Sequence, residues 1–412
     1  MADVATEVVV QIGAEAVLAG RLWAHRSPRA ESATFAYDPA YLALADAYQL
    51  DPGLDLVAGQ QQTPAGRKMF GAFSDSAPDR WGRRILARNA ESRGGASRAG
   101  DRSLGEVDYL LGVRDGMRQG ALRFRDPDTG IYLADEEEGV PPLVALPELL
   151  GAADRLERDE ADEEQLRILL RGGSSLGGAR PKANVLLPDG RTAIAKFPSV
   201  EDEHDVIRWE AVAMNLARAA GIDVSDSALH LIDEKPVLLI DRFDRAGELR
   251  IGYVSAMTML EAGDGVQASY PEIAEVIEVE SPGAGVDLRE LWRRIAFSVL
   301  ISNTDDHLRN HGFLRRSTAG WSLAPAFDLN PDPEPGPKHL RTAIAFDDDR
   351  ASVENLLAVR EYFRLGAEAA DQVLGEVRAA TDRWRAVAER TGLSVAEIER
   401  MTPAFESAVR TG

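Results

Sequence analysis

The chain has 412 residues, no cysteine, and a formal charge of −21 from 47 basic and 68 acidic side chains. Without cysteine it can hold neither a disulfide framework nor a thiolate metal site, and so acidic a balance argues against gripping a phosphate backbone unaided. The length suits about two to three domains. No run approaches the ~20 apolar residues of a membrane span and the acidic start lacks the basic region of a signal peptide, so a soluble, cytoplasmic protein with no membrane partner is expected.

Residues 1–125 read as a first unit. Two apolar, β-leaning runs, 8–12 and 16–23, flank Gly13-Ala14-Glu15 and predict a hairpin. Residues 41–50 and 81–89 carry helical patterns. Between them Phe73-Ser74-Asp75-Ser76-Ala77-Pro78-Asp79-Arg80-Trp81-Gly82 holds a polar turn, with Asp79 as N-cap and Trp81 as aromatic anchor. Nothing in this unit looks catalytic by itself. The Gly/Ser/Arg mixture at 90–102 and the acidic stretch at 126–142 read as exposed connectors.

Residues 146–170 offer one or two helices, the second over 159–170. They run into Arg171-Gly172-Gly173-Ser174-Ser175-Leu176-Gly177-Gly178-Ala179-Arg180-Pro181-Lys182. Four glycines in seven residues, with two hydroxyls, let backbone N–H groups close around phosphate oxygens. The loop matches neither of the two standard phosphate-loop patterns, so a flexible linker is the competing reading. Next, 185–187 and 192–198 around Pro188-Asp189-Gly190-Arg191 predict a second hairpin, whose outgoing strand carries Lys196. Lysine occurs at only five positions, 68, 182, 196, 235 and 338. A lysine on the strand after a glycine-rich hairpin is where kinases place their phosphate-pairing amine. A snorkelling strand lysine would look the same.

The helix expected over 203–220 puts Val206, Glu210, Ala213, Met214 and Ala217 on one face. A carboxylate in an apolar stripe needs a cation or several donors, and Lys196 is the natural candidate. If instead Trp209 and Val212 define the buried face, Glu210 is partly wet. Strands over 229–232 and 236–240 lead into Asp241-Arg242-Phe243-Asp244-Arg245, where a kinase chain would offer hinge backbone groups to adenine. The side chains of Asp241 and Asp244 read as an exposed, salt-bridged turn.

A buried helix over 288–301 delivers Ser302-Asn303-Thr304-Asp305-Asp306-His307-Leu308-Arg309-Asn310, and a hairpin at 313–315 and 321–327 ends at Asp328. Transfer of a γ-phosphoryl group needs a carboxylate to accept the hydroxyl proton and oxygen ligands for Mg²⁺. Asp305 fits the first task and Asn310 with Asp328 the second. The five-residue offset to Asn310 selects Asp305 over Asp306. A solvated Asn/Asp/His turn is the bland alternative. Helical patterns follow at 353–362, 367–391 and 395–410, the last capped by Ser394 with Glu397.

Taken in order, the glycine loop through Lys182, Ala195-Lys196-Phe197-Pro198, Asp241-Arg242-Phe243-Asp244-Arg245, Asn303 to Asn310 and Ala324-Pro325-Ala326-Phe327-Asp328 resemble the successive motifs of the HipA family. The turn at 73–82 resembles that of the family's N-terminal domain. HipA proteins are serine/threonine protein kinases, many of them toxins of type II toxin–antitoxin pairs. The resemblance implies an α+β, two-lobed protein-kinase-like fold. A β-rich N-terminal lobe would carry an added N-terminal domain, and the C-terminal lobe would be mostly α-helical. Its segments would be an N-terminal domain at 1–125, a nucleotide-binding lobe at 145–240 and a helical lobe at 241–412.

It further implies that ATP and Mg²⁺ are the cofactors. Gly177, Gly178, Ala179 and Lys182 would form the phosphate loop, with Lys196 on the phosphates and Glu210 beside it. Asp241, Arg242 and Phe243 would be the hinge, His307 an ATP-site neighbour, Asp305 the base, and Asn310 and Asp328 the metal ligands. Ser175 stands where family members are autophosphorylated. The implied partners are a small helix-turn-helix antitoxin of the HipB kind, operator DNA through that partner, and a translation-related protein substrate such as an aminoacyl-tRNA synthetase. Two other classes compete. One is a catalytically idle scaffold in a DNA-bound repressor complex. The other is a metal-dependent hydrolase on Asp305, Asp306, His307 and His311, which leaves the glycine loop, Lys196 and Glu210 without roles.

Overall fold

The computed structural model describes residues 4–27, 30–93, 104–134, 139–173, 178–263 and 265–406. It divides into two compact units. One holds residues 1–200 and 244–254, the other 201–243 and 255–412.

The first unit is built on an antiparallel sheet of β1 (Val4–Ile12), β2 (Glu15–Arg26), β3 (Glu31–Tyr37), β4 (Gln60–Gln62) and β5 (Leu122–Arg125), in the order β4-β3-β2-β1-β5. The predicted hairpin is present and longer than expected. Its tight turn puts Gly13 at φ 58°, where a side chain is disfavoured. One sheet face is closed by aromatic rings meeting edge to face: Phe35 and Phe124 both pack on Phe73, at 5.6 and 5.9 Å. The helix expected at 41–50 is not formed beyond Pro39–Leu42. Side-chain hydroxyls take over the backbone instead. Tyr41 Oη donates to the Tyr48 carbonyl at 2.8 Å, and the Leu50 N–H donates to Tyr37 Oη at 3.0 Å.

The polar turn at 73–82 begins as a single helical turn, Gly71–Asp75, and ends where Asp79 caps the helix Arg80–Arg93 through the Gly82 N–H at 2.7 Å. Arg118, almost wholly buried, donates to the carbonyls of Ser76 and Val113 and clamps this turn. Helices Leu146–Glu157 and Glu163–Gly172 follow, the second with a reciprocal Asp162/Gln165 cap. The second predicted hairpin forms as Lys182–Leu186 and Thr192–Lys196. Residues 244–254 return to this unit. Asp244, expected at an exposed turn, is 1% accessible. It accepts from the Gly120 N–H at 2.8 Å and pairs with Arg245 at 2.7 Å, and those bonds offset its burial.

In the second unit, helix Val206–Ala219 lays Ile207, Ala211 and Met214 on Leu238 and Ile240, from the strand Lys235–Asp241, which pairs with Ser227–Ile232. Its Trp209 packs against Trp384 and Phe405, themselves stacked at 4.7 Å, from the C-terminal helices Trp384–Arg390 and Thr402–Phe405. Glu210 is 2% accessible, and Trp209, Val212, Ala213, Met214 and Ala217 are buried with it, so residues of both predicted faces are buried. The central helix Ala284–Leu300 buries Leu288, Leu291, Trp292, Ile295 and Phe297. The pattern at 367–391 is two helices, Ala367–Thr381 and Trp384–Arg390, and Ser394 caps Val395–Arg400 as expected. Among the described residues no helix is long and apolar enough to cross a membrane.

Gly20, paired with Val8 and Tyr37, has no room for a side chain: an added Cβ would lie 2.2 Å from the Ala36 carbonyl oxygen and 2.6 Å from Phe35 Cζ. Gly20→Ala is therefore expected to cost about 1–3 kcal/mol, read as a lower urea midpoint. An unchanged midpoint contradicts this packing.

Candidate active site

The loop after helix Ala284–Leu300 turns sharply at Ser302, whose φ is 56°. Ser302 Oγ donates to the Ala404 carbonyl at 2.9 Å, so the turn is fixed to the C-terminal helices. The chain then doubles back. The His307 N–H donates to the Asp305 carbonyl, the Asn310 N–H to the His307 carbonyl, and Asn310 Nδ2 to the Asp305 carbonyl at 3.1 Å. The five-residue offset thus places the Asn310 amide directly on the backbone of Asp305.

The two adjacent acids part company. The Asp305 side chain points outward, 65% exposed, with Arg341 Nε 2.7 Å from its Oδ1. Asp306 is buried. Tyr270 Oη and Ser298 Oγ both donate to its Oδ2, at 2.5 and 3.0 Å. His311 Nε2 stands 3.1 Å from its Oδ1. Burial alone would raise the Asp306 carboxyl, but the His311 contact and the two hydroxyls outweigh it and hold the group below the usual carboxylate range. The Tyr270 hydroxyl is pushed well up by burial and by the Asp306 charge. Backbone N–H groups of Arg341 and Thr342 donate to the carbonyls of Thr304 and Asp306, so a second segment flanks the loop.

Asp328 sits at φ 60°, after a segment joined to Val224 by a parallel bridge and to Asp223 through the Ala326 N–H. The ring of Phe327 lies 5.5 Å from that of Phe243, which brings the end of the predicted hinge beside the Asp328 turn. Asn330 Nδ2 reaches Asp328 Oδ1 at 3.5 Å, and the Asn330 N–H reaches Asn303 Oδ1 at 3.4 Å. Buried polar atoms around this turn and loop that make no hydrogen bond include Asn330 Oδ1, Asn303 Nδ2 and His307 Nδ1. Asn310, Asp328 and Asn330 each offer an amide or carboxylate oxygen, the hard donor type that suits Mg²⁺.

In the first unit, Gly178 has φ 94° and leads with Ala179 into Lys182. The Lys182 ammonium is buried, 2.8 Å from Asp79 Oδ2. Lys196 lies directly across the hairpin from Lys182. Gly177 and Ser175 lie outside the described residues. Asp241 ends its strand, with its N–H on the Asp226 carbonyl, and Arg242 is buried.

Sequence reasoning missed the residues that brace the loop. Tyr270 and Ser298 receive no signal from spacing, since each opens or lines an ordinary helix. Lys338 had one: it is one of only five lysines. Its ammonium is buried and donates to the Asp332 carboxylate at 2.9 Å and to the carbonyls of Asp332 and Glu334. Asp332 in turn accepts from Thr304 Oγ1 at 3.1 Å. The four residues of the hydrolase alternative do not share one direction, because Asp305 faces Arg341 while Asp306 and His311 are held together in the interior.

The fold is of the protein-kinase-like class. Residues 174–384 match the HipA-like C-terminal domain and residues 10–102 the HipA N-terminal domain. The chain belongs to the HipA family. Among solved structures it is similar to HipA of Shewanella oneidensis MR-1, determined with HipB and its operator DNA. The TM-score is 0.65 at 17% identity, over 97% of this chain and 95% of that one. It is 27% identical over 188 residues to a Haemophilus influenzae protein named "Putative kinase", covering 39% of this chain and 54% of that one. It is 30% identical over 157 residues to a Sinorhizobium fredii protein named "Putative kinase Y4dM", covering 34% and 37%. The chain thus spans about half or less of the length of these curated relatives.

The Asp306 carboxyl has a folded pKa below its unfolded one, so its stabilisation is complete above the unfolded value of ~4 and is lost as pH falls through the folded value. Asp306→Asn is expected to cost about 3 kcal/mol at neutral pH, as for breaking a buried charge pair. The gap in melting temperature between wild type and variant should close as the pH is lowered below the ordinary carboxylate range. A gap that stays constant or widens in acid contradicts the assignment.

Proposed function

We propose that the chain is an ATP- and Mg²⁺-dependent serine/threonine protein kinase of the HipA type. The observation that carries this reading is the catalytic loop itself. Asn310 is tied by its side chain to the backbone of Asp305, and the Asp305 carboxylate is turned outward while its neighbour is locked inside. Asp305 would accept the proton of the substrate hydroxyl at a carboxylate oxygen as the phosphoryl group arrives. Asn310 and Asp328 would hold Mg²⁺, which when bound neutralises charge on the phosphates. Lys196 would bind those phosphates and be oriented by Glu210, whose buried carboxylate requires a cation or donors. The glycine loop with Gly177, Gly178 and Ala179 would supply backbone N–H groups to the same phosphates, and Asp241 to Phe243 would present hinge backbone groups to adenine.

Family membership supports the wider setting. A small helix-turn-helix partner of the HipB kind would suit the −21 charge, since a basic protein could bridge this acidic chain to operator DNA. On the family resemblance alone, the role would be that of a toxin whose substrate is a translation-related protein such as an aminoacyl-tRNA synthetase. Phosphorylation of Ser175 would add about two negative charges to a loop built for phosphates and so inhibit it.

Asp305→Asn is expected to lower phosphoryl transfer about 10²–10⁴-fold while ATP affinity stays within roughly a factor of three, because it removes a base and not a nucleotide contact. A radiolabelled-phosphate assay beside calorimetric titration of ATP-Mg²⁺ reads both. Full turnover by the variant would remove Asp305 from the reaction. Glu210→Gln and Lys196→Met should each weaken ATP binding, and the double variant should lose little more than either alone. Intact mass after incubation with ATP and Mg²⁺ should show one added phosphate, absent in Ser175→Ala.

A further inference from the structure

Asp79 belongs to the N-terminal segment that looked purely structural, yet both of its carboxylate oxygens are committed. Oδ1 caps the helix Arg80–Arg93 through the Gly82 N–H, and Oδ2 lies 2.8 Å from the Lys182 ammonium. The side chains of Lys182 and Asp79 are only 3% and 4% exposed. Two residues further on, Trp81 Nε1 donates to the Lys182 carbonyl at 3.0 Å. One helix start therefore holds residue 182 by its ammonium and by its backbone. Above the ammonium stands Gly178, where an added Cβ would come 3.2 Å from Nζ.

The register of the hairpin gives this grip a purpose. Lys182 and Lys196 are direct partners in an antiparallel pair, so their side chains emerge on the same face as nearest neighbours. Two ammonium groups placed this way repel, and the chain spends two of its five lysines there. A buried carboxylate beside one of them cancels that repulsion.

We propose that Asp79 is a positioning residue for nucleotide binding. It draws the Lys182 ammonium into the protein beneath Gly178, fixes the stretch from Gly178 to Lys182, and leaves Lys196 as the strand's cation for phosphate. Lys182 then acts as an internal strut of the loop, and the N-terminal domain sets the affinity of the nucleotide site. This rests on the kinase reading above.

The test uses the full chain and titrates ATP-Mg²⁺ by calorimetry, with KM for ATP and kcat measured in parallel and melting temperature recorded without nucleotide. Asp79→Asn keeps a good helix cap, and Lys182→Met keeps the length of the side chain. Each is expected to weaken ATP binding and raise KM about ten-fold, the scale of one lost charge-assisted contact, with kcat at saturating ATP unchanged. The neutral double variant Asp79→Asn/Lys182→Met should bind no more weakly than Lys182→Met alone, and it carries the test if either single variant fails to fold. Folded variants with wild-type ATP affinity, additive losses in the double variant, or a fall in kcat at unchanged KM would each overturn the proposal. Wild-type protein that binds no ATP would overturn the kinase reading and this one together, whereas wild-type binding matched by every variant overturns this one alone.

Discussion

Burying the Asp306 carboxylate among Tyr270, Ser298 and His311 is the constraint on which the loop depends. A charge taken out of water is tolerated only where polar partners surround it. These three come from the helix Tyr270–Glu280, the central helix and the start of the following hairpin. Their convergence fixes residue 306, and with it the direction of residue 305. Asp305 is turned out, to meet Arg341. A second buried charge, Lys338, repeats the device: through Asp332 it holds Thr304, on the other side of the same carboxylate.

The parts of the site that were legible in the sequence are those encoded by local spacing. The offset of Asn310 from Asp305 becomes a real hydrogen bond, the hairpin before Lys196 forms, and Glu210 is buried as its place in an apolar stripe implies. The parts that were not legible depend on long-range partners. Asp244 follows an apolar strand and looks like the start of a solvated turn. In the fold it is buried, and its carboxylate accepts from the Gly120 N–H, 124 positions away in the chain. The failed helix at 41–50 has the same origin, since tyrosine hydroxyls at 37 and 41 offered its backbone a non-helical set of partners.

The N-terminal domain illustrates how a structural motif takes on a second task. A helix cap at Asp79 is readable from sequence, because a carboxylate before a helix has an obvious use. Nothing local announces that its other oxygen meets a lysine 103 positions later. In a chain with so strong an acidic surplus, cations are the scarce resource. Each of Lys182 and Lys338 has been taken into the interior beside an aspartate, where it fixes backbone near a functional loop instead of decorating the surface.

A crystal structure of the chain with Mg²⁺ and a non-hydrolysable ATP analogue tests the kinase reading most directly. The expected result is a metal ion bound by Asn310 and Asp328, with the terminal phosphate facing Asp305. Density for the nucleotide away from these side chains, or a metal ion on Asp306 and His311, would contradict it.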